Sequence, residues 1–228
     1  MSKPSPVSQK PFAWVDVETT GLDENHHDII EVTIIRVEPM SVDGWGATEI
    51  EKVFSTKIKM ARPENAHPKA LEVNGYTENL WRYARDPKEV WQAIVDEGLL
   101  DDCIIAGQNP RFDAKFINAT LKRYGFDTRI DYHLYDTATL ALEHLKPYVH
   151  SVSLTALCVA LAIPVRSAHT SFDDVHRTML VDKILRRAGW VKRMYWKLVI
   201  PRRLKKWNDA DRPNVWPPLP VIGAIPSI

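Results

Sequence analysis

Six of the nine residues from 29 to 37 (IIEVTIIRV) are Ile or Val. Side chains branched at Cβ pack well on a pleated strand and lose rotamer freedom in a helix. The alternation of apolar and polar residues is imperfect, so this strand is expected to be buried on both faces. A chain with such a strand must cover its sheet from both sides, which calls for a layered architecture. Residues 12–16 (FAWVD) read as a second buried strand, one that ends in a carboxylate. Residues 53–58 read as a third, after a turn at Gly44 and Gly46. The short connections between these three favour antiparallel pairing.

Downstream the pattern changes. Residues 87–98 are helical by spacing, with Val90, Trp91, Ile94 and Val95 on one face. Residues 103–106 form a short strand leading into GQN, and 112–124 a helix stopped by Gly125. Residues 134–135 suit a short strand. Ser153 can cap a helix over 154–161, which stops before Pro164. Ser171 can cap a last helix over 172–187, with Gly189 after it. Strands first, then helices alternating with strands, predict a mixed α/β sheet flanked by helices.

The 228 residues are 45% apolar and 26% charged, which excludes wholesale disorder and leaves room for a core. No apolar run approaches the ~20 residues of a spanning helix, so no membrane role is expected for the body. The first residues, MSKPSPVSQKP, have no apolar core segment, and no secretory signal is expected. Cys103 and Cys158 lack any zinc spacing and read as buried free thiols. Charge is uneven. Residues 186–212 hold ten Lys/Arg against two Asp/Glu, a net of +8. Subtracting these from totals of 30 and 29 leaves 20 against 27, a net of −7 elsewhere. Trp190, Trp196, Trp207 and Trp216 also fall in this last part, with six prolines between residues 201 and 226. The expected division is a flexible N-terminus over 1–10, a body over 11–188 and a basic Trp/Pro-rich extension over 189–228.

The carboxylates point to chemistry. Asp16 and Glu18 are two apart on an extended chain, so both project to one side. Such a pair is repulsive unless a cation sits between, and hard oxygen ligands suit Mg²⁺ or Mn²⁺. Asp113 stands near the start of a helix, after Asn109 and Phe112. His169 lies in a loop before the last helix, whose first turn contains Asp173 and Asp174. A histidine beside a carboxylate-bound metal can deprotonate water. Each feature alone also has an ordinary structural explanation: a solvated strand edge, acids at helix starts, or a surface histidine. His26, His27, His67, His133, His144, His150 and His176 have no comparable context and read as surface or packing residues.

Taken in order, D-x-E-T-T-G-L (16–22), N-x-x-F-D (109–113) and H-x-x-x-x-D (169–174) give a chain that resembles the DEDDh family of 3′–5′ exonucleases, which is DnaQ-like. The resemblance covers roughly residues 12–188. LEVNGYT (71–77) is similar to the family's turn, with Tyr76 where an aliphatic residue is commoner. LTALCVALAIP (154–164) is similar to the helix before the last motif. The resemblance implies a ribonuclease-H-like mixed sheet of about five strands. It implies two divalent ions, Mg²⁺ or Mn²⁺, with Asp16, Glu18 and Asp174 as direct ligands, Asp16 shared by both, and Asp113 completing the set partly through water. It implies His169 as general base. Thr19, Thr20 and Leu22 resemble the residues that meet the 3′-terminal nucleotide, and Asn109 and Phe112 line the same pocket. Ser171 departs from the commoner Ala, and the spacing of five from His169 selects Asp174 over Asp173.

The expected function is removal of nucleoside monophosphates from the 3′ end of single-stranded DNA, for proofreading or trimming, by two-metal hydrolysis. Trimming of RNA 3′ ends is the alternative, as is a non-catalytic module acting through its tail. Expected partners are nucleic acid and, through 189–228, a DNA polymerase subunit or a second copy. The expected location is the cytoplasm of a bacterium or phage-infected cell. For residues 186–199 four readings stand: packing of the aromatic stripe on the body, nucleic-acid binding, a membrane surface, and partner docking. Pro201 is expected to break the segment that follows.

Overall fold

The computed structural model describes residues 6, 9–37, 50–127, 130, 133–165 and 170–209. The turn at Gly44 and Gly46, His169 and residues 210–228 lie outside the described residues. Five strands, β1 (Phe12–Thr19), β2 (Ile29–Val37), β3 (Ile50–Lys57), β4 (Ile104–Gly107) and β5 (Leu134–Asp136), form one sheet in the order β3-β2-β1-β4-β5. β1–β2 and β2–β3 pair antiparallel, and β1–β4 and β4–β5 pair parallel. The sheet is therefore mixed and ribonuclease-H-like, as expected. The helices are α1 (Pro68–Val73), α2 (Glu78–Trp81), α3 (Pro87–Asp96), α4 (Pro110–Arg123), α5 (Thr137–Leu145), α6 (Leu154–Leu161), α7 (Ser171–Arg186) and α8 (Trp190–Asp209).

Alternation along β1 assigns the two faces. Ala13, Val15 and Val17 pack with Trp91 and Ile94 of α3 and Phe116 and Ile117 of α4. Trp14 faces the other way, with Ile35, Val37 and Val175 of α7. A second core joins α5, α6, α7 and α8 through Leu145, Leu157, Val181, Trp196 and Ile200. Cys103 and Cys158 are buried free thiols, and burial pushes them up to about 11 and about 12.

Local differences from expectation have physical causes. Lys10 is buried and pairs with Asp102 at 3.1 Å, so fixed structure begins inside the stretch expected to be flexible. Thr170, not Ser171, caps α7, its hydroxyl accepting the Asp173 N–H at 3.2 Å. α8 runs through Pro201. A proline inside a helix costs about 3 kcal/mol, and here Trp196 and Ile200 before it and Leu204 after it pack against α6 and its neighbours. Among the described residues, no helix is long and apolar enough to cross a membrane.

One buried charge ties the loops beside β1 together. Asp28 accepts the backbone N–H groups of Ala61 and Arg62 at 2.9 and 2.7 Å, and pairs with the guanidinium groups of Arg62 and Arg123. Arg62 also donates to the carbonyls of Asn25 and His27, both at 2.7 Å, and Arg123 to that of Glu24 at 3.0 Å. Removing one partner of such a cluster strands the others. Asp28→Ala is expected to destabilise the protein by about 3–5 kcal/mol, measured by urea unfolding; a loss below ~1 kcal/mol would show the cluster to be ordinary surface pairing.

Candidate active site

On the α7 side of the sheet, side chains pair in rows across β1, β2 and β3. Trp14, Ile35 and Val53 form an apolar row, Asp16, Thr33 and Ser55 the next, and Glu18, Glu31 and Lys57 the last. The face turns from apolar to polar where the first turn of α7 crosses it. Ser171 donates from its backbone N–H and its hydroxyl to Glu31, at 3.1 and 3.0 Å. Its oxygen lies 2.8 Å from that of Thr33, which is 2.8 Å from that of Ser55. A hydroxyl has one hydrogen, so the donors run Ser55 to Thr33 to Ser171 to Glu31. Glu31 also pairs with Lys57, whose ammonium stands 3.7 Å from the centre of the Trp81 ring.

The expected carboxylates meet at this row. Asp16, Glu18 and Asp174 each offer an oxygen within 4.8 Å of the others. Asp113 approaches from α4, and its carboxylate accepts the Val17 N–H at 2.9 Å. Burial raises the Asp16 carboxyl well above its ordinary value of 3.8, helped by the charges of Asp113, Asp174, Glu18 and Glu31. Burial likewise raises Asp113 to about 7, opposed by the Val17 N–H and reinforced by Glu18. Asp174 pairs with Arg177, which is itself buried. Mg²⁺ binds oxygens at ~2.0–2.1 Å, so its ligands stand roughly 3–4 Å apart. Three carboxylates already within 4.8 Å of one another need little movement to fit such an ion.

A cavity of about 600 Å³ opens beside Glu18. Thr19, Leu22 and Phe112 line it, and Leu22 is 81% exposed. Thr20 and Asn109 are not on its wall. Thr20 is fully buried, its hydroxyl accepting the Asp28 N–H at 2.9 Å. Asn109 sits in the left-handed region at φ 59° and hands its N–H to Asp136 at 3.0 Å. His27 and His67, read as surface or packing residues, line the cavity with Lys69, Val73 and Asn74. A Cβ at Gly21 would lie 2.2 Å from the His27 ring, so only glycine lets that ring close the wall. Asn74 donates to the Thr19 carbonyl at 2.8 Å and anchors the opposite wall to β1.

Sequence reasoning missed Glu31, Lys57 and Arg177. Glu31 and Lys57 join the site only through strand register. Arg177 had a local signal, its place three residues after Asp174 on one helix face. His169 lies outside the described residues.

A mixed sheet with carboxylates gathered at the end of its central strand and the starts of two helices defines a nuclease-like class of protein. The RNase_T family of exonucleases matches residues 13–181, and the chain belongs to it. It is similar to the PolC-type DNA polymerase III of Thermotoga maritima, 29% identical over 182 residues, which cover 79% of this chain and 12% of that protein. It is 28% identical over 192 residues to ribonuclease T of Blochmanniella pennsylvanica, covering 77% of this chain and 86% of that protein. The fold is that of E. coli ExoI in its zinc-bound complex with single-stranded DNA, with a TM-score of 0.65 and 20% identity, covering 87% of this chain and 45% of that one.

The Asp113 shift makes a pH prediction. Folded Asp113 titrates near 7 against an ordinary 3.8, so between these values the folded state holds more protons than the unfolded. Its contribution to stability is present below the lower value and is lost as pH rises through the upper one. In chelator, Asp113→Asn is expected to gain ~3 °C or more in thermal midpoint over wild type between pH 4.5 and 8. A constant difference across that range would refute the shift.

Proposed function

We propose that this chain is a divalent-metal-dependent 3′–5′ exonuclease that removes nucleoside monophosphates from the 3′ end of single-stranded DNA. The observation that carries the reading is the carboxylate set of Asp16, Glu18 and Asp174 at the edge of a cavity large enough for a nucleotide. In this reading residues 11–188 are the catalytic unit and 189–228 an extension. Asp16, Glu18 and Asp174 hold Mg²⁺ or Mn²⁺, and Asp113 completes the set. Two such ions, when bound, supply the positive charge that lets an anionic phosphodiester be attacked by water. Leu22, Val73 and Phe112 give the terminal nucleotide apolar surfaces, and Thr19 meets its sugar end. His169 takes the proton from the attacking water.

An RNA substrate is the second reading, favoured by the similarity to ribonuclease T over 86% of that protein's length. Association with a polymerase is supported by the PolC similarity, although the chain spans about an eighth of those proteins.

The test is a time course on 5′-labelled DNA and RNA strands of one sequence, with Mg²⁺, with Mn²⁺ and with chelator. A ladder shortening from the 3′ end, present with metal and absent in Asp16→Ala and Asp174→Ala, is expected; the faster strand identifies the sugar. Metal-dependent cleavage that persists in both variants would refute the assignment. His169→Ala is expected to lose 10²–10⁴-fold in rate while binding Mn²⁺ as wild type does. A loss of Mn²⁺ affinity as large as that of Asp16→Ala would remove His169 from the role of base.

A further inference from the structure

α8 lies beyond the residues that carry the family match. Between residues 190 and 208 it has seven Lys/Arg and no acid. Trp196 and Ile200 pack it onto the second core, and Arg203 donates to the Ala160 carbonyl at 2.9 Å. Past Pro201, its last turns form one wall of a groove of about 420 Å³, and the connection between α5 and α6 with the first turn of α6 forms the other. His150, Ser151, Ser153, Trp207 and Asn208 line it. A smaller recess of about 280 Å³ continues it past Tyr148 and Lys205.

The groove belongs to the catalytic end of the molecule. Gln108 donates to the Val152 carbonyl at 2.6 Å, two residues from His150. Gln108 also directly follows β4, five residues before Asp113. A Cβ at Gly107, the last residue of β4, would lie 2.9 Å from the Val15 carbonyl, so β4 closes on β1 right beside Asp16. α7 leads away from the carboxylates, and α8 brings the chain back to this rim.

We propose that this groove is a second contact for single-stranded nucleic acid, gripping the strand several nucleotides 5′ of the terminus that the cavity holds. The proposal rests on the exonuclease reading. Outside residues 186–212 the chain is net −7, 20 Lys/Arg against 27 Asp/Glu, so the body as a whole repels a polyanion. The exposed Arg202, Lys205 and Lys206 supply the missing attraction. Trp207 offers a ring on which a base can stack, and His150, Ser151 and Asn208 offer donors to phosphate oxygens. An anionic lipid surface would meet the same cations, but a concave groove that sets His150, Ser151 and Asn208 beside Trp207, Leu204 and Ala156 fits a strand better than a flat interface.

The test compares wild type, the exposed-residue variant Lys205→Glu/Lys206→Glu, and Trp207→Ala on a DNA trinucleotide and a 20-mer. Expected is a KM for the 20-mer raised about tenfold at unchanged kcat, with the trinucleotide unaffected. In the double variant the slope of log KM against log salt should fall by ~1.4, about 0.7 for each phosphate no longer neutralised. Equal losses on both lengths, or none on the 20-mer, would overturn the proposal. Fluorescence anisotropy of a labelled 20-mer in chelator separates the two readings. Variant-sensitive binding with no cleavage of any strand would keep the groove and refute the exonuclease. Unchanged DNA binding together with variant-sensitive sedimentation on phosphatidylserine vesicles would give α8 to lipid instead.

Discussion

Like charges drawn together out of water set the terms for the rest of this structure. Burial raises the cost of charge on Asp16, and Asp113, Asp174, Glu18 and Glu31 all lie close enough to add their repulsion. Such a group is stable only when compensated, and the compensation is visible residue by residue. Lys57 answers Glu31, Arg177 answers Asp174, and the Val17 N–H answers Asp113. Trp81 stands under the Lys57 ammonium, and its indole N–H is spent on the Ile30 carbonyl at 2.9 Å. Glu18 stands at the cavity wall, and Asp16 lies two residues before it on the same face of β1. A divalent ion held by this pair would meet the negative charge where it is densest.

The scaffold holds this arrangement by placing it where several rigid pieces end. β1 delivers Asp16 and Glu18 from a strand with a neighbour on each side. α4 and α7 deliver Asp113 and Asp174 from their first turns, where the helix dipole favours negative charge. The hydroxyl chain from Ser55 to Glu31 then locks α7 to the sheet at that level. Ser171 is central to it. Ser171→Ala removes its hydroxyl and leaves Thr33 and Glu31 each short of a buried partner, a change that costs about 1–3 kcal/mol. The hydroxyl that stands where the family more often has Ala is thus part of how this chain seats Asp174.

Much of this was legible in the sequence because its signals were local. The β-branched run over 29–37 could only be an interior strand, and 154–161 had both a cap and a stop. The order of the acidic motifs brought Asp16, Glu18 and Asp174 together before any coordinates did. What escaped was set by contacts distant in sequence. Glu31 and Lys57 are 26 residues apart and become neighbours only through register. Thr20 looked like a substrate residue from its motif, yet its partner Asp28 draws it inward. The helical spacing of residues 190–199 was legible, but the continuation of α8 beyond it escaped for another reason: Pro201 is a correct local signal for a break, and packing on both sides of it overrides the signal.

The chain's charge separation follows from the same electrostatics. A site that concentrates carboxylates repels a phosphate backbone unless bound cations offset their charge. Screening weakens this past a Debye length of ~8 Å in physiological salt, so the repulsion is strongest for the nucleotides next to the site. Cations placed among the carboxylates pair with them, as Arg177 does with Asp174. Putting them on a separate helix avoids that pairing. α8 carries its charge on a segment that shares a core with α5, α6 and α7 but contributes nothing to the carboxylate row. Its N-terminal half also exposes an apolar stripe, with Trp190 74% exposed beside Val191, Met194, Tyr195 and Leu198. The face of α8 that holds it to α5, α6 and α7 is the one bearing Trp196 and Ile200, so apolar contacts, more than its charges, fix the helix to the body.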